Sequence, residues 1–225
     1  MSTTQNLTLL TDLYELTMMQ GYFKNPVQET VIFDAFYRTN PCGNGYAIAA
    51  GLDQVIDYIN NLHFSKEDVD YLRSIGVFDE DFLEYLSGFH FSGDIYAIPE
   101  GTVVFPREPL VKVIAPIMEA QLVETATLTI INHQSLIATK AARVVNAARG
   151  DGVMEFGLRR AQGPDAGVYG ARAAMIGGCI GTSNVLTGQL FDVPVLGTHA
   201  HSWIMSFPDE YTAFKTYAKL YPNAC

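Results

Sequence analysis

The sequence predicts an α/β fold in two parts: an α+β module over residues 1–117, then the first strands and helices of a barrel-type βα module over 118–225. Three observations carry this. Residues 91–115 follow a two-residue apolar period interrupted by Pro99, Pro106 and Pro116, which reads as a small antiparallel or mixed sheet. From Met118 to about Arg149 the chain has no Gly or Pro and is rich in Ala, Leu and Glu, the mark of one long helix or two in succession. Beyond that, short apolar runs alternate with helical stretches, as parallel strands joined by crossover helices do.

Taken in order, Thr11 or Asp12 caps a helix reaching about Tyr22, since Leu13, Leu16, Thr17 and Gln20 keep helical spacing. Residues 30–38 are rich in β-branched and aromatic types and read as a strand delivering Arg38 to its end, ahead of a Gly-rich turn at 40–45 that suits an anion. Residues 51–62 look helical. Two further helices follow, one capped by Ser65 with Asp68 at the capping-box position, the other starting near Asp79. After the long helical stretch come a strand at 152–158, a helix at 166–178, a strand at 179–183, a short helix at 184–190 and a strand at 193–199.

Those last three apolar runs end in polar clusters: Glu155-Phe156-Gly157-Leu158-Arg159-Arg160, Gly181-Thr182-Ser183-Asn184 and Gly197-Thr198-His199-Ala200-His201-Ser202. In parallel sheets the strand bodies are buried on both faces and the carboxyl ends carry the site. Chemistry is therefore expected on that rim. Arg159 and Arg160 are the one adjacent pair of basic residues, and a guanidinium can grip a carboxylate or diphosphate with two parallel hydrogen bonds. Strand alternation would send only one of them into the site.

Composition narrows the partners. At 225 residues with 48% hydrophobic content the chain can bury a substantial core, and its net charge of -10 argues against a general nucleic-acid binder. An anionic ligand then needs a local basic pocket. Cys42, Cys179 and Cys225 lack metal-ligand or disulfide spacing, and Cys179 reads as core. With no leader pattern and no apolar run near the ~20 residues that a membrane helix needs, the expectation is a soluble cytoplasmic protein that engages neither nucleic acid nor membrane.

Five motifs together resemble the nicotinate phosphoribosyltransferase family: Leu10-Thr11-Asp12-Leu13-Tyr14-Glu15-Leu16-Thr17-Met18, the Phe-Tyr-Arg before the turn at 36–45, Glu-Phe-Gly-Leu-Arg-Arg-Ala-Gln at 155–162, Gly-Thr-Ser-Asn at 181–184 and Gly-Thr-His-Ala-His-Ser at 197–202. Their order and spacing match as well. The resemblance implies the first part of an α/β, TIM-like barrel, left incomplete here because three strands cannot close a barrel of eight. It implies transfer of a phosphoribosyl group from phosphoribosyl pyrophosphate to nicotinate in NAD salvage, coupled to ATP hydrolysis through a phosphohistidine. Mg²⁺ accompanies the two phosphorylated substrates, with no organic cofactor and no metal-ligand set in the chain. It also implies a homodimer with shared active sites. On the resemblance, the 225-residue chain by itself is expected to give little turnover.

Residue by residue, the resemblance makes Phe156 and Tyr14 the aromatic pair around the pyridine ring, with Tyr14 donated by the partner subunit. Arg159 is the arginine that enters the site, and Arg38 reaches diphosphate from the partner. Ser183 occupies the position where nicotinamide-using relatives carry an acid, and a neutral hydroxyl there suits a substrate carboxylate. Thr182 is a candidate phosphate donor, as are Thr198 and Ser202. His201 is the phosphorylated histidine, a competent nucleophile toward a γ-phosphoryl group once its other ring nitrogen is oriented. Glu155 is one candidate for that orienting role. Two readings from other classes stay open: a metal-dependent barrel hydrolase using His199 and His201, two apart on a strand end, and a non-catalytic remnant that only dimerises.

Overall fold

A computed structural model describes residues 6–27 and 29–223; Cys225 lies outside them. The first sheet is antiparallel, with β1 (Thr30–Ala35) and β3 (Asp94–Ala97) on either side of β5 (Val111–Pro116). The alternation expected from sequence is sharpest in β5, where Val111, Val113 and Ala115 are buried between half-buried neighbours. Asp34 and Lys112, opposite each other in the β1–β5 register, form a 2.8 Å ion pair. A second, two-stranded antiparallel sheet joins β2 (Ala47–Ile48) to β4 (Val103–Val104).

Helices α1 (Leu13–Lys24), α2 (Leu52–Asn60), α3 (Lys66–Ile75) and α4 (Glu80–Ser87) bury one face each around Met19, Val55, Leu72, Phe82 and Leu86. The Gly-free and Pro-free stretch forms two helices, α5 (Ile117–Leu122) and α6 (Glu124–Ala147), meeting at Val123. Leu122, Val123, Ala126 and Ile130 join that same buried cluster. Helix α6 also completes the small sheet: Thr139 and Ser135 hydroxyls accept the Ile48 and Ala50 N–H groups at 2.9 Å each. Gly51, at φ 106°, lets α2 start against α6, since a Cβ there would stand 3.0 Å from the Ile130 carbonyl oxygen.

The second half alternates as expected, but its strands are short. Among the described residues there, only Met154–Glu155 (β6) and Gly181–Thr182 (β7) form a ladder, parallel and connected by α7 (Pro164–Ile176). The third run, 193–199, is reduced to one parallel bridge between Val195 and Thr182. Pro194 has no N–H to give, so it contributes only its carbonyl, to the Thr182 N–H at 3.0 Å. Helices α8 (Val185–Phe191), α9 (His201–Met205) and α10 (Glu210–Leu220) complete the described chain. The observed class is mixed α/β. No helix among the described residues is long and apolar enough to cross a membrane.

Two expected strand ends are corrected. β1 stops at Ala35, so Arg38 stands three residues beyond it, just past Tyr37, whose carbonyl accepts the Arg107 N–H at 2.7 Å. The expected strand 152–158 gives way after Glu155, and Leu158–Arg160 form a 3-10 turn, so strand alternation does not separate Arg159 from Arg160.

Candidate functional site

The three polar clusters do come together, because the backbone joins their runs side by side. Ile180 N–H reaches the Val153 carbonyl at 2.9 Å, Ser183 N–H the Glu155 carbonyl at 3.0 Å, and Leu196 N–H the Thr182 carbonyl at 2.9 Å. Glu155 is level with Thr182 in this register. Their side chains therefore share one face, and Phe156 and Ser183 each follow directly on this pair, just past the ends of the two strands.

On that face lies a hydrogen-bonded chain that the sequence reading missed. Asn184 N–H donates to Thr182 Oγ1 at 3.0 Å, the Thr182 hydroxyl donates to Glu155 Oε2 at 2.6 Å, and Gly157 N–H donates to Glu155 Oε1. The Asn184 side chain then caps α8 through Thr187 N–H and donates to the Gly167 carbonyl of α7. Glu155 also lines a cavity of about 790 Å³ between α6, α7 and the segment before α1, with Arg160, Lys140, His133, Asp165 and Leu10 among its walls. The pairing was in principle legible: two polar residues at matching depth on neighbouring parallel strands.

Several expectations change here. Thr182 is fully buried and its hydroxyl is already engaged in both directions, so it is not placed to meet a phosphate. Glu155 is likewise occupied with Thr182 and Gly157 rather than with His201. His201 is the first residue of α9 and exposed, whereas His199 is half-buried with its ring centroid 5.0 Å from Tyr217 and 5.4 Å from Phe214. The two histidines thus do not sit together on a strand end, and among the described residues no three His, Cys, Asp or Glu side chains cluster as a metal site. The metal-dependent hydrolase reading loses its motive.

The remaining candidates stand apart. Phe156 is 41% exposed and Ser183 half-buried, and Arg159 and Arg160 are exposed on the turn that follows Phe156, with Arg160 the one lining the large cavity. Arg38 borders a separate cavity of about 300 Å³ with Phe36, Leu128 and Asn132. Tyr14 is 49% exposed at the start of α1, and no ring contact joins it to Phe156 within the chain. Burial, then the charges of Glu15, Glu124 and Asp12, push its hydroxyl pKa up, so Tyr14 stays a neutral ring. Burial, then Glu155, also push the Cys179 thiol up, which keeps it an inert neighbour of the rim.

A family model described as the nicotinate phosphoribosyltransferase (NAPRTase) N-terminal domain matches residues 9–132, a span that includes Tyr14 and Arg38. The chain belongs to the nicotinate phosphoribosyltransferase family. Among similar proteins, a nicotinate phosphoribosyltransferase of Mycobacterium tuberculosis is 49% identical over 214 residues, covering 95% of this chain and 46% of the relative. That of Bacillus subtilis is 48% identical over 219 residues, covering 97% of this chain and 45% of the relative. The crystal structure of human nicotinic acid phosphoribosyltransferase superposes with a TM-score of 0.81 at 39% identity, over 88% of this chain and 40% of that one. A nicotinate-nucleotide pyrophosphorylase structure from Pyrococcus furiosus gives a TM-score of 0.77 at 25% identity, over 94% and 47% of the two chains. The chain thus spans about half the length of the nicotinate phosphoribosyltransferases it matches.

Proposed function

We propose that this chain carries the nicotinate-holding part of a nicotinate phosphoribosyltransferase that joins nicotinate to phosphoribosyl pyrophosphate, giving nicotinate mononucleotide and pyrophosphate in NAD salvage. The observation that carries the proposal is the β6–β7 pairing of Glu155 with Thr182, directly after which stand exposed Phe156 and half-buried Ser183. The ring nitrogen of nicotinate attacks the anomeric carbon as the bond to diphosphate breaks, so the centre passes through a cation-like state. Phe156 offers a flat face to the pyridine, Ser183 a hydroxyl to its carboxylate, and Arg159 a guanidinium to an anion at the same rim.

The rest of the reading builds on that arrangement. Tyr14 and Arg38 act on the partner copy's site in a homodimer, a role supported by their exposure. His201 accepts the γ-phosphoryl group of ATP on a ring nitrogen, and its exposure leaves the imidazole open to that approach. Mg²⁺ arrives chelated by the phosphates of the substrates. The β6–α7–β7–α8 run with its bridge to Val195 is proposed as the opening of an α/β barrel, with the division near residue 117 and α6 touching both sides. A cytoplasmic setting goes with this metabolic role.

Calorimetry on this chain tests the ligand. Nicotinate is expected to bind at least tenfold more tightly than nicotinamide, and Phe156→Ala to weaken nicotinate by about tenfold, in keeping with the ~0.5–1.5 kcal/mol of an aromatic contact plus lost burial. Equal binding of acid and amide would overturn the reading.

A further inference from the structure

We infer that Glu155 is a positioning residue for the nicotinate pocket, setting the spacing of Phe156 and Ser183 through its hydrogen bonds to Thr182 and Gly157. The inference rests on the proposed ligand reading and names what holds that pocket in shape. The direction of each bond fixes the chemistry required at 155. Thr182 Oγ1 receives the Asn184 N–H at 3.0 Å, and its own proton goes to Glu155 Oε2 at 2.6 Å. Glu155 Oε1 faces a second donor, the Gly157 N–H. A group that accepts at both ends is needed, and an ionised carboxylate is that group. An amide at this position could keep its oxygen on the Gly157 N–H only by turning its NH₂ to Thr182, whose hydroxyl proton would then lose its acceptor.

Both pocket residues are bracketed by this chain. Phe156 lies between Glu155, held to the neighbouring strand, and Gly157, held to the Glu155 side chain. Ser183 lies between Thr182 and Asn184, and its own N–H is taken by the Glu155 carbonyl at 3.0 Å. A Cβ at Gly157 would stand 2.7 Å from Glu155 Oε1, so a larger residue there would push the carboxylate aside. Because the link holds the residues on either side of Phe156 and of Ser183, it sets their geometry through the backbone.

The test compares Glu155→Gln with Thr182→Val, which removes the hydroxyl, and Thr182→Ser, which keeps it. Nicotinate and nicotinamide affinities are measured by calorimetry, and amide hydrogen exchange at Gly157 and Asn184 by NMR. The expected result is a loss of the nicotinate preference of tenfold or more in Glu155→Gln and Thr182→Val, with at least tenfold faster exchange at Gly157, and Thr182→Ser within about threefold of wild type. Unchanged exchange at Gly157 in both Glu155→Gln and Thr182→Val overturns the inference. Faster exchange with the nicotinate preference intact also overturns it, since the link would then serve the fold alone. If the wild-type chain binds neither ligand, the ligand reading fails by itself, and Gly157 exchange still decides whether Glu155 holds the Phe156 segment. Should Glu155→Gln not fold, Thr182→Val against Thr182→Ser carries the same comparison.

Discussion

Glu15 is wholly buried near the start of α1, with its carboxylate against the hydroxyls of Thr11 and Thr125 and 3.4 Å from that of Tyr14. Loss of hydration raises its pKa; the hydrogen bonds from Thr11 and Thr125 work against this, and the charges of Glu124 and Asp12 add to it. An acid whose folded pKa is raised holds its proton longer when folded than when unfolded. Its contribution to stability is therefore greatest below the unfolded value and is lost as pH rises through the folded one. Glu15→Gln keeps an acceptor for Thr125 without the buried charge. It should melt higher than wild type at pH 8, by a few degrees, since each kcal/mol moves the midpoint by about 2–4 °C in a chain of this size. The gap should close by pH 4, and a gap independent of pH in thermal melts would contradict the charge argument. Sequence alone could not mark Glu15: of the face read from helical spacing, Leu13, Leu16, Thr17 and Gln20, only Leu16 is buried, the inward face being Glu15, Leu16 and Met19, and a glutamate there reads as solvated. Its burial comes from the packing of α1 on α5 and from Thr125, more than a hundred residues away.

At the scale of elements, what was legible is what is local. Ser65 accepts the Asp68 N–H at 3.1 Å while Asp68 Oδ2 accepts the Ser65 N–H at 2.8 Å, closing the capping box that the sequence announces ahead of α3. Ser65→Ala is expected to cost about 1 kcal/mol in urea unfolding, and Ser65→Thr much less. Loss of nothing measurable in Ser65→Ala would mean that Asn6, whose amide also reaches Asp68 at 2.8 Å, is enough to hold the cap. Strand length was not legible, because it depends on neighbours rather than on composition. The apolar run at 193–199 is as hydrophobic as a strand requires, yet Pro194 and Gly197 leave it a single bridge, and His201 is carried onto a helix. Helix α10 was overlooked although its signal is present, with Asp209 Oδ1 accepting the Thr212 N–H at 2.7 Å.

Across the whole molecule, α6 and one arginine tie the first sheet and its helices to the βα run. Arg172 of α7, with its side chain 13% exposed, donates to Glu100 at 2.9 and 2.7 Å, to Gln134 of α6 at 3.0 Å and to Asp53 of α2 at 3.3 Å, with its guanidinium 5.4 Å from the Phe191 ring centre. Burial by itself would raise the Glu100 pKa, but the Arg172 hydrogen bonds and charge, with the Gly51 N–H, hold it below the usual glutamate range. A depressed carboxylate stabilises the fold above its unfolded pKa, and that stability is lost as pH falls through the folded value. Arg172→Ala leaves Glu100 buried without its partner, so it should cost roughly 3 kcal/mol at pH 7, and less at pH 3.5, because without the arginine burial favours the neutral acid. Denaturant unfolding at the two pH values measures both. The transition should stay single in the variant. Ile130 of α6 packs into the first cluster while Ala138, about two turns further along, packs against Ala173 of α7, so the helix couples the two parts even when the arginine is gone. A second transition in Arg172→Ala would show instead that the ion pair, and not α6, makes them one cooperative unit.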